Sequence, residues 1–483
     1  MPDSKVSPTR TVLKWTAALG IFAVLAVLVS GLFLRSRGPS VPDVEPFDVD
    51  AFVGKPVPAE KNAANFYREA MPRFVDVKTL LRKGPPQEEA FEKSRDQAVE
   101  SDWKFANEDV RHWLDANRPA IEIWKRGTQL DESRDIPPNL VDIYTDVSLT
   151  TAARTFVSLA LLEAAQLNAQ GHVDEAWGWY RSALRSSRHI GMHAGAIWRM
   201  VGCAMLANAT DPVIAWSARP EVTATQLRKA LDDLRAIDAM TPPPSDCLKA
   251  EYLLTKNSLD GVEAGLGGVA TVLNALGAHE HSRRSLRWIF ANWLSQADRP
   301  RFQRTPIHPG KPEVYELDSS APPGSPSAAE IQNQFGGSSF RVDLRLAELF
   351  LPAGFAVMDS TDREQARRAA LILALALQLY AREHGELPAD LSALVAAGYL
   401  KEIPADPFGK GEPFHYRRGA NPGEGTLLWS VWVDGVDQGG KAIAETAPEQ
   451  SPGDKCFPIK VPSGQQHSVP PASPSSKNRS AKF

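Results

Sequence analysis

The chain has 483 residues, long enough for two or three domains and for a sizeable buried core. Charged residues make up 23% and hydrophobic residues 43%, an ordinary globular balance. The net charge of −4 creates no broad field, so nothing in the composition points to a nucleic-acid partner.

Residues 1–14 carry Lys5, Arg10 and Lys14, and the stretch from Trp15 to Leu34 that follows is uncharged. About 20 residues at about 1.5 Å per residue match a hydrocarbon core of about 30 Å. A helix satisfies its own backbone polar groups, as lipid requires. The basic residues before Trp15 favour a cytoplasmic N-terminus, although Arg35 and Arg37 flank the other end. A cleaved signal peptide would carry a shorter apolar run and a small-x-small site. Here Leu-Phe-Leu-Arg follows Ser30 and Gly31, so a retained anchor is expected. The expected location is the cell membrane, single-pass, with the bulk of the chain extracytoplasmic.

Residues 35–60 hold a run of prolines without sustained periodicity and are expected to form an extended linker. From 61 to 299 the pattern is helical. Phe105, Val110, Trp113, Leu114, Ile121 and Trp124 recur at helical spacing, and Phe156, Leu159, Ala160, Leu162 and Ala165 mark another face. Further helices are expected over 173–188, 195–208, 223–239 and 246–259, with TPPPS at 241–245 as a break. The stretch 170–185 (QGHVDEAWGWYRSALR) resembles the second half of a tetratricopeptide repeat. Gly171 stands at the turn, Ala176 and Ala183 at the small positions and Tyr180 at the large one. That resemblance implies a packed helical hairpin.

Residues 300–340 contain SSAPPGSPS and FGGSS and read as a loop or linker. The module at 341–445 opens with a helix, for which Ser360 or Thr361 is the expected N-cap and Glu364 the capping-box partner. His384-Gly385 closes it. A short helix (390–400), the turn IPADPFGK, and two strand-like runs (EPFHYRR and TLLWSVWV) follow. After Pro448 the chain is rich in Pro and Ser, and a disordered tail is expected over 446–483. The fold class expected is therefore mainly α: an N-terminal transmembrane helix, a helical-hairpin body and a small α+β C-terminal module.

That last module resembles the globular domain of type II secretion major pseudopilins. The matching residues are Tyr380, His384, Gly385 and Pro388, then Tyr399-Leu400, Asp406-Pro407-Phe408-Gly409, Tyr416, and SVWVDGVDQGG from Ser430 to Gly440. The departure is the long body at 61–299, which separates this helix from the membrane segment, and no prepilin-peptidase site precedes Thr16. The resemblance implies calcium in the last loop, with Asp434 and Asp437 as metal ligands. Two carboxylates are few for that ion, and an Asp-Gly turn joining strands is the other reading. The overall layout is similar to that of membrane-anchored bacterial proteins without an assigned activity.

Other motifs are weak. GVDQGGKA (435–442) lacks the hydroxyl that a phosphate loop places after its lysine, and GLGGVA (265–270) has no preceding strand. His189 and His193 are four apart, a spacing that puts two zinc ligands on one helix face, but no third ligand is evident. His279-Glu280-His281 is a smaller cluster of the same kind. Arg283, Arg284 and Arg287 beside Trp288 and Trp293 read as a solvated amphipathic face or a lipid contact. Cys203, Cys247 and Cys456 have no metal spacing; free thiols or a Cys203–Cys247 pair are both open. No catalytic constellation and no cofactor motif assembles. The function expected is a membrane-anchored scaffold or protein-binding protein, with a protein partner. The alternatives are an accessory component of a secretion or envelope assembly, and an exported hydrolase whose site is built from distant residues.

Overall fold

The computed structural model describes residues 45–81, 85–265, 278–304, 351–419, 425–444 and 451–460. The expected anchor 15–34 lies outside them, as do residues 266–270 of GLGGVA and residues 305–340 of the expected linker. Among the described residues no helix is long and apolar enough to cross a membrane.

The fold is mainly helical, with one small sheet. In chain order the helices are α1 (Val49–Val53), α2 (Ala63–Ala70), α3 (Val77–Leu80), α4 (Pro85–Glu100), α5 (Glu108–Gly127), α6 (Ser148–Ala169), α7 (Val173–Ile190), α8 (Ala196–Ser217), α9 (Ala224–Ala239), α10 (Pro244–Gly265), α11 (Ala278–Ala297), α12 (Leu351–His384) and α13 (Ser392–Ala396). The strands are β1 (His415–Arg417), β2 (Thr426–Ser430) and β3 (Lys455–Ile459), antiparallel in the order β1-β2-β3.

Helices α6 and α7 form a hairpin about the turn at Gly171, with Ala164, Ala176 and Ala183 fully buried between neighbours. The Asn168 amide donates to the buried Tyr180 hydroxyl at 3.0 Å, which ties the two helices across that turn. Helix α8 then lies on α7, and Gly202 sets how close it comes. A Cβ there would stand 2.4 Å from the Ser187 carbonyl oxygen, so only glycine permits this approach. The capping box at the start of α9 is formed by Thr223 and Gln226.

Helix α12 is already helical at residue 351, ten residues before the expected N-cap. Thr361 is therefore mid-helix and donates its hydroxyl back to the Val357 carbonyl (2.7 Å). Val357, buried against Ala196 and Cys247, gives those extra turns an apolar contact. Glu364 is not a capping residue but the centre of a buried ion cluster. It receives Arg188 from α7 and Arg199 from α8 (2.7 Å), with Arg368 one turn along α12 at 3.7 Å. Glu364, Arg188 and Arg199 are at most 2% exposed.

The body and the C-terminal module share one continuous core, running from Ala63 through α12 to Ile459. Arg382 of α12 donates to the carbonyls of Arg219 (2.7 Å) and Val222 (3.1 Å), fixing the α8–α9 connection to the module. A second core joins α10 and α11 through Tyr252, Phe290 and Trp293, and Phe47, Val49, Phe52 and Val53 pack onto it. The described part of the 35–60 linker is thus not simply extended: Asp48 caps α1, and two phenylalanines hold it down.

The tail beyond 446 also departs from expectation. Residues 455–459 form strand β3, with Phe457 and Ile459 buried and Pro458 exposed. The alternation of apolar side chains lets this short run close the sheet, with Gln378 of α12 donating to the Lys460 carbonyl (2.7 Å). All three cysteines are free thiols.

Candidate functional site

A cleft with several polar groups lies where α7 ends and α8 begins. Helix α7 stops at Ile190, and Gly191-Met192-His193-Ala194-Gly195 turns the chain into α8. His193 takes a left-handed backbone (φ +52°), a conformation that histidine tolerates better than most side chains. His189 is on the helix and His193 is not, so the two imidazoles do not share a helix face. The expected zinc-like spacing is broken by the helix terminus between them. Among the described residues no group of three or more His, Cys, Asp or Glu is placed to hold a metal ion.

Both histidines line a cavity of about 30 Å³, together with Ser133, Asp135, Ile136, Val141, Leu149 and Trp198. Its far wall is fixed by Asn62. The Asn62 side chain accepts from Ala64 N (3.2 Å), capping α2, accepts from Arg134 N (2.9 Å) and donates to the Arg134 carbonyl (2.8 Å). Asp135 is gripped by Arg68 through two bonds of 2.6 and 2.5 Å. On the near side Gly195 provides no side-chain cap for α8. Glu251 of α10 does so instead, accepting from Ala196 N at 2.8 Å, and burial raises its carboxyl above the usual range.

His189 is 2% exposed. Its Nδ1 lies 2.6 Å from the Tyr67 hydroxyl, and its Nε2 is buried with no hydrogen-bond partner. Burial, with Arg185 nearby, pushes the imidazole down to about 3, while burial holds the Tyr67 hydroxyl firmly protonated. The hydroxyl and Nδ1 share one hydrogen bond whose direction follows the imidazole tautomer; with Tyr67 as donor, the ring proton sits on Nε2, and the Leu130 backbone stands beside the ring. His193 is half-buried. Its Nε2 is 4.0 Å from Glu132, its Nδ1 is buried without a partner, and burial followed by Arg134 lowers its basicity too.

Ser133, Asp135 and His189 line one cleft, yet they are not wired as a hydrolytic triad. Asp135 is bound to Arg68, and His189 Nδ1 meets a tyrosine rather than a carboxylate. An imidazole pushed down to about 3 is also a poor general base near neutral pH. One consequence is measurable. An unfolded histidine takes up a proton near pH 6.5, whereas folded His189 resists it down to about 3. Its contribution to stability is complete above pH 6.5 and is lost as pH falls toward 3, at up to about 1.4 kcal/mol per unit. Melting curves of the parent and His189→Gln should diverge in slope over that acid range and run parallel above it.

The expected calcium ligands Asp434 and Asp437 lie in the loop after β2, and the loop uses both as internal acceptors. Asp434 accepts from Val436 N (3.0 Å), Gln438 Nε2 (2.8 Å) and Gly453 N (3.1 Å). Asp437 accepts from Trp429 Nε1 (2.9 Å) and Gly439 N (2.8 Å), and these bonds hold its carboxyl below the usual range. A third carboxylate, Asp454, arrives with β3 and accepts from Gln438 N and Gly440 N. Asp434→Ala should lower the melting temperature by removing the acceptor of Val436, Gln438 and Gly453. The buried Asp406 of the DPFG turn accepts from Phe408 N, Ser430 Oγ and Val431 N (2.9–3.0 Å), tying that turn to β2. GVDQGGKA forms turns, with no helix over its described residues.

Arg283 pairs with Asp260 and Arg287 approaches Glu45, while Trp293 is buried in the second core. Sequence reasoning missed the Glu364 cluster, Asn62 and Glu251. The signal for the first was present in part: Glu364, Arg368 and Leu371 share one face of α12. No family model matches the chain, and neither the curated proteins nor the solved structures yield a significant match.

Proposed function

We propose that the chain is a membrane-anchored, extracytoplasmic protein-binding scaffold. Its α6–α8 body offers the His189–His193 cleft to one side chain of a protein partner. The observation that carries this reading is the pair of buried, unpartnered imidazole nitrogens in a cavity of about 30 Å³. A buried polar atom without a partner is costly, and a binding partner that supplies one removes the cost. A space of about 30 Å³ holds about two waters, enough for the polar tip of one side chain. Residues 15–34 supply the membrane attachment.

The test uses the full chain extracted in mild detergent and sized by native electrophoresis. His193→Gly keeps the left-handed backbone accessible and removes the imidazole. It is expected to shift a higher-mass complex to the free chain without changing the melting temperature of the body. A single unshifted species for both forms counts against the reading.

A second reading is an accessory component of a secretion or envelope assembly, acting through 341–445. It draws support from the order of α12, the Asp406 turn and the hairpin β1–β2, which follows that of the pseudopilin globular domain. Recovery of secretion components with the full chain, lost when the module's exposed Val436 loop is altered, would favour it over the first.

A further inference from the structure

The segment 139–147 displays four large apolar side chains: Leu140 (66% exposed), Ile143 (48%), Tyr144 (79%) and Val147 (39%). Four such residues in so short a run form a patch that a water-facing surface rarely keeps without use. Its backbone is held in place. Asn257 Nδ2 donates to the carbonyls of Asn139 and Val141, both at 2.9 Å, and Ile143 N donates to Ser258 Oγ at 3.0 Å. Asp142 closes the turn by accepting from Tyr144 N (2.9 Å) and Thr145 Oγ1 (3.1 Å).

The position of this patch relative to the start of the described chain identifies what covers it. Glu45 accepts from Tyr252 and Lys256 of α10, and Phe47 packs edge-on against Tyr252. The loop is pinned by Asn257 and Ser258 of the same helix. From Tyr252 to Ser258 is about 9 Å along the axis. The eleven steps from Leu34 to Glu45 reach at most about 40 Å. The end of the apolar segment 15–34 thus lies within about 50 Å of the patch.

We infer that the 139–147 loop seats in the interfacial layer of the same bilayer that residues 15–34 enter, laying the body against the membrane surface. The inference rests on the reading of 15–34 as an anchor. Tyrosine with leucine and isoleucine is the residue set that favours this layer. Asp142 is committed to the turn and Asp146 to Ser148 and Arg68, so the contact is apolar and does not depend on anionic lipid.

The test places a nitroxide on the full chain in phosphatidylcholine vesicles, through Tyr144→Cys and, separately, Leu140→Cys, in a Cys456→Ser background. Cys203 and Cys247 are buried. A control label replaces the exposed Val436. The expected result is oxygen collision several-fold above that of a water-soluble nickel complex at 140 and 144, with the reverse at 436. Nickel-accessible labels at 140 and 144 on carbonate-resistant vesicles overturn the inference and leave the anchor standing. Labels shielded from both reagents also overturn it, and assign the patch to a protein contact. Release of the chain from vesicles by alkaline carbonate overturns the anchor reading and the inference together.

Discussion

Glu364→Ala is expected to destabilise the fold by about 3–5 kcal/mol, the cost of breaking a buried ion pair by removing one partner. Glu364 is fully buried and is the shared partner of Arg188 and Arg199. Without it two guanidinium groups from adjacent helices face each other in the α7–α8–α12 core, out of water. The discriminating comparison is a compensated variant. Adding Arg188→Met and Arg199→Met to Glu364→Leu removes the three fully buried charges, keeps similar volumes, and leaves Arg368 with Asp238. It should recover most of the loss, because an apolar substitute for a buried ion network is often neutral or better. Urea denaturation of the three proteins measures this. A Glu364→Ala loss below about 1 kcal/mol, the scale of an exposed pair, would show that the cluster is hydrated.

Trp124→Ala should cost a similar amount, about 3–5 kcal/mol. Trp124 is fully buried and stacks on Tyr67 (4.2 Å between ring centroids) and Phe156 (5.3 Å), with Phe74 edge-on at 5.8 Å. Its indole N–H donates to Ser186 Oγ at 2.9 Å. The cavity left behind would remove the ring that seats Tyr67, whose hydroxyl holds His189. The substitution therefore acts on the cleft as well as on the core. Trp124→Phe should recover most of the packing while leaving Ser186 without its donor, at about 1 kcal/mol. Thermal unfolding orders the three proteins: parent, then Phe, then Ala.

The helices were legible where apolar spacing and turn residues agreed. The hairpin α6–α7 follows from Phe156, Leu159, Leu162 and Ala165 on one side of Gly171 and Ala176, Tyr180 and Ala183 on the other. The start of α12 was not legible, because Thr361 and Glu364 imitate a capping box while serving other partners. Thr361 bonds back to Val357, and Glu364 bonds to helices some 160 residues away in sequence. The cleft was half legible. The two histidines stood out, but the helix terminus between them did not, nor did Asn62, Ser133 and Glu251, which tertiary folding brings alongside. Strand β3 was hidden in a Pro- and Ser-rich tail. Only Phe457 and Ile459 at strand spacing marked it, and a run of five residues is too short to separate from chance.

The most direct measurement places a photo-crosslinking side chain at Met192, which lines the cleft beside both histidines, in the full chain expressed in cells. One adduct of discrete mass is expected, and it disappears in His193→Gly. Irradiation that yields no adduct, or adducts indifferent to His193, would contradict the claim that this cleft receives a partner.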